Sequence, residues 1–305
     1  MYFLTEDERK FYLKKMLPKA RAMSVEEELR GWNWHQPPLE PVFEERLAIY
    51  EVANQYCPTG RDLYVRRVLK QRPKASYFMI AGRVFHQILM HVLQHVKRQI
   101  YLCGSDPDQL RKALRQPSSF SLPPEAAGLP PEQQAEISAK VKFLEEYETS
   151  RIMSRIEEIL TQQPYIGADS LAHLAVPVVC ENKLDGRFLG LSQYLSCDAF
   201  TFSEPMILDL KFGAPQKFHR LATTGYALAM EAIYETPVNL GCIVYGEFKD
   251  GRLTVSKDMH LIDDELRQWF IEARDERARM LAEEIDPGLA EKCSEYCPTY
   301  EVCHS

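Results

Sequence analysis

The heptapeptide ILDLKFG, residues 207–213, restricts the possible folds more than any other stretch of this chain. Its apolar residues describe a strand bound for a protein interior, yet it carries Asp209 and Lys211 before stopping at Gly213. A charge in an apolar interior is costly unless it is paired. Side chains alternate along a strand, so Asp209 and Lys211 share a face. Asp198 lies eleven residues earlier, on the preceding strand. With a tight turn at Ser203-Glu204-Pro205, Asp198 falls opposite Asp209 or its neighbour, and directly paired residues share a face. Two carboxylates that close repel each other unless a cation sits between them, and Mg²⁺ or Mn²⁺ suits such an oxygen-rich site. The plainer reading is an aspartate–lysine salt bridge on a half-exposed strand. Glu181-Asn182-Lys183 repeats the spacing. It runs straight into a turn and lacks an upstream aspartate on a paired strand, so it reads as structural.

The surrounding pattern is α/β. Strands are expected in AVPVVCENKL (175–184) and RFLGLSQYLSCDAFTF (187–202), around the turn signal Asp185-Gly186. MILDLKF is the next strand, and VNLGCIVYGEF and LTVSKDMHLI form a hairpin around Asp250-Gly251. Helices are predicted over Lys217–Tyr234 and about 263–285, the second ending at Asp286-Pro287-Gly288. Tyr77–Leu102 reads as a long amphipathic helix, with a stripe of Val84, Phe85, Ile88, Leu89, Val92, Leu93, Val96 and Ile100. Residues 1–50 form a helical, partly polar extension with an irregular connector at RGWNWHQPPLEP. The helical pattern over Phe43–Leu69 breaks at YCPTG. Residues 105–140 are a proline-rich insertion, with five prolines in PSSFSLPPEAAGLPP. A further helix is expected near Glu132–Thr161. The whole reads as one domain, 1–305, with a mixed sheet in a helical wrapping.

A net charge of −7 excludes a globally basic nucleic-acid binder. A local patch remains: RDLYVRRVLKQRPK, residues 61–74, has six basic side chains against one acid. Arg61, Arg66, Arg67 and Lys70 are candidates to follow phosphates, with Tyr64 and Tyr77 to stack on bases; the alternative is a solvated helix face. No apolar run approaches the roughly 20 residues of a membrane span. The start, MYFLTEDERKFYLKK, has no signal-peptide core, so a cytoplasmic, non-membrane protein is expected. Among eight cysteines, Cys180 and Cys242 lie in apolar runs and read as core, whereas Cys57, Cys293, Cys297 and Cys303 stand apart. A reducing compartment argues against a disulfide framework. His91 and His95 have the i,i+4 spacing of zinc ligands but lack the glutamate of an H-E-x-x-H protease; they read as solvent-facing or structural.

Asp198…Asp209-Leu210-Lys211, followed by a helix with Tyr226, resembles the PD-(D/E)XK nucleases of RecB type. Gly82-Arg83-Val84-Phe85-His86 is similar to that family's upstream G-x-x-x-H helix. Cys57 with Cys293-x3-Cys297-x5-Cys303 resembles the four cysteines of its iron–sulfur branch, the CRISPR-associated RecB-like exonucleases. ELRGWNWHQPPL and HRLATTGYALAME look most like an archaeal type I-A variant. The likeness covers roughly 43–102 and 175–303. It implies a restriction-endonuclease-like sheet and a DNA exonuclease acting on single-stranded or splayed ends in CRISPR adaptation. Such an enzyme trims captured DNA before spacer integration, with integrase proteins as partners. It also implies that His86, Asp198, Asp209 and the Leu210 carbonyl ligate Mn²⁺ or Mg²⁺. Lys211 acts on the attacking water, and Tyr226 belongs to the catalytic set. The four cysteines can hold zinc or a [4Fe–4S] cluster; spacing does not choose, and the resemblance favours the cluster. The cluster would join the C-terminal cysteine segment, 286–305, to Cys57. Two departures stand out. The family's glutamine four residues before the tyrosine is Ala222 here, with His219 and Thr223 the candidates to replace it. The usual C-x2-C is C-x3-C. The competing reading is a non-catalytic iron–sulfur scaffold that binds DNA ends.

Overall fold

The computed structural model describes residues 1–116, 118–201, 205–293 and 297–304. Ser203 and Glu204 of the expected turn lie outside the described residues. Where the sequence suggests one domain, the chain folds as two compact units: Met1 with Ala75–Val178, and Tyr2–Lys74 with Val179–Ser305.

The first unit is helical. Helix α1, Tyr77–Cys103, buries the whole predicted stripe, Val84 through Ile100. The Ser76 hydroxyl caps it by accepting from the Met79 amide at 3.4 Å. Helix α2, Pro131–Gln162, buries Ile137, Val141, Leu144, Ile152 and Ile156 at the same helical spacing. The proline-rich insertion is narrower than the expected 105–140. Pro107–Leu114 is a helix whose Leu110 and Leu114 are buried, because Pro107 sits at a first-turn position where its missing N–H is harmless. His91 and His95 stack at 6.3 Å between ring centroids, half-buried, with His91 also against Phe120. They are packing residues rather than solvent-facing ones.

The second unit holds a five-stranded sheet in the order β1 (Val179–Leu184), β2 (Leu195–Thr201), β3 (Met206–Phe212), β4 (Leu240–Lys249) and β5 (Arg252–Leu261). Only the β3–β4 pair is parallel. A parallel neighbour needs a crossover, and helix α3, Arg220–Tyr234, supplies it. Helix α4, Asp264–Ala282, starts where the Asp263 carboxylate accepts from the Leu266 amide at 3.1 Å. The two helices meet closely at Gly225, where a Cβ would lie 2.5 Å from the Phe270 ring. Asp250 and Gly251 both take positive φ, as a two-residue hairpin turn between β4 and β5 requires.

The strand expected from residue 187 begins only at Leu195. The Asp185 carboxylate accepts from the Arg187 amide at 3.0 Å and opens a short 3-10 turn, Arg187–Leu189. Cys242 is fully buried as expected. Cys180 is only half-buried, because β1 is an edge strand. The Glu181–Lys183 pair is exposed, and the Lys183 ammonium donates to the Ser196 hydroxyl at 2.9 Å across β1 and β2. Among the described residues no helix is long and apolar enough to cross a membrane.

Candidate active site

The charged strand β3 lies in the middle of the sheet. Its pairing with β2 runs Thr201 to Met206, Phe200 to Ile207 and Ala199 to Leu208. One more step in this register sets Asp198 opposite Asp209. The Asp198 carboxylate reaches over to accept from the Leu210 amide at 3.1 Å. Asp209 is only 5 % exposed, and the Lys211 ammonium lies 2.9 Å from its Oδ2. Burial disfavours the Lys211 charge, but Asp209 and then Asp198 outweigh it and hold its pKa above the ordinary lysine value. Two carboxylates and an ammonium favoured in its charged form thus lie close together.

Tyr226 lies on α3 behind β2 and donates its hydroxyl to the Ser196 carbonyl at 2.7 Å. Burial, then the nearby Cys197 and the two aspartates, push its pKa far above the tyrosine value, so it stays a neutral donor. It holds β2 two residues before Asp198. Ala222, at the position of the family's glutamine, is buried in the core. Of the two candidates to replace it, Thr223 turns elsewhere. Its hydroxyl donates to the Arg220 carbonyl at 2.8 Å and meets His260 Nε2 at 2.9 Å.

His219 faces the site. Its Nε2 is 2.8 Å from the Tyr56 hydroxyl and its Nδ1 is 3.1 Å from the Tyr245 hydroxyl. Tyr245 is the β4 residue registered beside Lys211. A neutral imidazole has one donor and one acceptor nitrogen, so one tyrosine donates to it and the other accepts. Burial, and then the Lys211 charge, lower the His219 pKa to about 4 against the opposing pull of Asp209. Tyr2 is a further neighbour: burial, then Asp198 and Asp209, oppose its ionisation. No sequence spacing links Tyr2, Tyr56, His219 and Tyr245; only the fold brings them together.

Two buried neutral histidines give the protein an acid-side weakness. His260 is also held near pKa 4, by burial against the opposing influence of Asp258. An unfolded histidine takes up its proton near 6.5. Between about 6.5 and 4 the unfolded chain therefore binds more protons, and stability falls as pH falls through that window. Urea midpoints measured from pH 7.5 to 4.5 should decline, and His260→Gln should flatten the decline. A constant midpoint would contradict the buried neutral imidazoles.

The other cluster lies where the Cys57 loop meets the end of the chain. Cys57, Cys293, Cys297 and Cys303 all line one cavity of about 20 Å³. Arg61 fastens the two segments: it makes a two-armed bond to the Asp286 carboxylate at 2.9 Å and donates to the Cys303 carbonyl at 3.1 Å. The Thr59 hydroxyl adds a 3.0 Å bond to the Gly288 carbonyl. Four thiolates gathered on one point can hold a metal ion or cluster. Among the described residues, no group of three or more His, Cys, Asp or Glu side chains is drawn tightly enough to hold an ion as it stands.

Comparison with known proteins shows a family likeness along the whole chain. The family model for CRISPR-associated exonuclease Csa1 matches residues 1–305. The chain belongs to this family. A protein named CRISPR-associated exonuclease Csa1 from Thermoproteus tenax is 31% identical over 281 residues, covering 92% of both chains. A protein of the same name from Saccharolobus solfataricus is 31% identical over 290 residues, covering 95% of this chain and 94% of its own. Both sources are archaeal, in keeping with the type I-A likeness.

Within this Csa1-family chain three of the six basic side chains of the run are engaged internally. Arg61 is committed to Asp286 and Cys303. Arg66 pairs with Asp62 at 3.3 Å, and Arg67 pairs with Glu51 at 3.0 Å and Glu45 at 3.4 Å. Glu51 is only 3 % exposed, so Arg67 compensates a buried charge. Lys70 is exposed. His86 lies half-buried on α1, in the helical unit.

Proposed function

We propose that this chain is a divalent-metal-dependent DNA exonuclease of the PD-(D/E)XK, restriction-endonuclease-like kind. It acts on single-stranded or splayed ends and trims captured DNA before integrase proteins insert it as a CRISPR spacer. The observation that carries the reading is the Lys211 ammonium 2.9 Å from Asp209, with the Asp198 carboxylate reaching across to the Leu210 amide at 3.1 Å. The names of the two relatives support the exonuclease activity.

Asp198, Asp209 and the Leu210 carbonyl are the proposed ligands of Mn²⁺ or Mg²⁺; His86 joins them on the sequence resemblance. The oxygen donors suit a hard cation. When bound, such a cation lowers the pKa of water and neutralises phosphate charge. Lys211 orients the attacking water and offers a fixed positive charge to the phosphorane-like transition state. Its raised pKa suits an electrostatic role and not that of a base near neutral pH. Tyr226 fixes the strand that carries Asp198. Mn²⁺-dependent shortening of end-labelled single-stranded DNA, stopped by a chelator, is the test. Ala222, in place of the family's glutamine, favours a second reading, a DNA-end-binding scaffold that does not cut.

We further propose that the four cysteines hold a [4Fe–4S] cluster with a structural role. Protein purified without air should be brown, with broad absorbance near about 400 nm. Replacing Cys57, Cys293, Cys297 or Cys303 should remove the colour and lower solubility, while Cys242→Ala should retain the colour. Colourless protein with one equivalent of zinc would sink the cluster and install zinc in its place.

A further inference from the structure

We propose that the cleft walled by Phe218 and Trp269 seats an unpaired nucleobase of the strand being cut. The inference rests on the nuclease reading above. The cleft encloses about 640 Å³, and Gln55, Glu272, Glu276 and Arg279 also line it. This lies within the range of small-ligand sites and exceeds the volume of a single base. It therefore has room for one nucleotide or two.

The cleft is next to the Lys211 site. Phe218 precedes His219, and its ring meets Tyr56 edge-on at 4.9 Å and 85°. The Tyr56 hydroxyl is held by His219, which in turn meets Tyr245, registered beside Lys211. One short chain of aromatic side chains thus runs from the lysine to the cleft wall. Tyr56 is 66 % exposed although its hydroxyl is anchored. Most of the residue is therefore open to an incoming base, and its position is fixed.

The lining chooses a base over a phosphate. Phe218 and Trp269, half-buried against the core, give the cleft an aromatic lining, and a nucleobase of any sequence can stack on aromatic side chains. Glu272 and Glu276 on the same cleft offset Arg277 and Arg279, so the lining carries no net positive charge to draw a phosphate in. The sugar–phosphate backbone stays outside, and the base turns in. Gln55 and Arg279 supply hydrogen-bond donors for base edges. A paired base cannot leave its stack without a cost of a few kcal/mol. The cleft therefore favours single-stranded or splayed ends over intact duplex.

Photocrosslinking tests this on the full-length protein. Single-stranded oligodeoxynucleotides carrying 5-iodouracil at successive positions are bound in the presence of a chelator, irradiated, and the adducts mapped by mass spectrometry. The expected result is an adduct on Trp269, Phe218 or Tyr56 from one or two positions adjoining the cleaved bond. Trp269→Ala should lose the Trp269 adduct and raise KM for single-stranded DNA about tenfold, the order expected for one lost stacking platform. A melting curve checks that the variant is folded; if it is not, the wild-type adduct map decides. Adducts confined to other surfaces, with cleavage intact, would overturn the cleft and leave the nuclease reading standing. Failure of wild type to bind or cut any DNA would overturn both.

Discussion

Glu231→Ala should cost about 3–5 kcal/mol of stability, the cost of breaking a buried ion pair and stranding its partner. Glu231 sits on α3 and is fully buried. Its two oxygens accept from both terminal nitrogens of Arg267, at 2.7 and 2.9 Å. They also accept from Arg30 at 2.9 Å, the Gly31 amide at 2.9 Å and the Val238 amide at 2.9 Å. Arg267 is itself fully buried and donates further to the Leu29 and Val238 carbonyls. One carboxylate therefore ties the N-terminal connector, the α3–β4 loop and α4 to the core. Truncating it leaves buried guanidinium charge and two orphaned amides. Glu231→Gln keeps the shape and loses the charge, and should fall between wild type and alanine. Urea denaturation of the three proteins measures the order. A Glu231→Ala midpoint equal to wild type would contradict the buried network.

This network shows where the sequence stops being informative. The strands, the hairpin at Asp250-Gly251 and the stripe of α1 were legible because alternation, helical period and turn chemistry are local. The antiparallel pairing of β2 with β3 was legible for the same reason, as only a short stretch of sequence separates the strands. Arg30, Glu231 and Arg267 carry no such mark. Arg30 lies in a stretch that reads as an irregular connector, and Glu231 and Arg267 look like ordinary polar positions on helices. Their burial follows from tertiary packing alone. The same holds for Tyr56, His219 and Tyr245, drawn from a loop, a 3-10 turn and a strand. The basic run at 61–74 shows the converse. Asp286 pairs Arg61, and Glu45 and Glu51 pair Arg67, from outside the run, partners that composition counted over a short window misses. The division into two units was hidden because the helical unit lies in the sequence between the two segments that make up the sheet-bearing one.

At the active site the expected effects are larger still. Asp209→Ala removes a proposed ligand from the centre of the sheet and should abolish both Mn²⁺ binding and cleavage. Lys211→Ala should keep Mn²⁺ binding while lowering kcat about 10²–10³-fold, the order seen when one preorganised transition-state donor is removed. Were Lys211 only a partner for Asp209, its loss would leave Asp209 buried without compensation and would show in stability instead of turnover. Calorimetry with Mn²⁺, denaturation and turnover, run on the same preparations, separate the two roles.

The most direct test is Mn²⁺-dependent degradation of end-labelled single-stranded DNA by wild type, Asp209→Ala and Lys211→Ala. The account predicts stepwise shortening by wild type, none by Asp209→Ala, and strongly slowed shortening by a folded, Mn²⁺-binding Lys211→Ala. Equal degradation by wild type and Lys211→Ala would contradict it, and would make the two charges of ILDLKFG a structural pair.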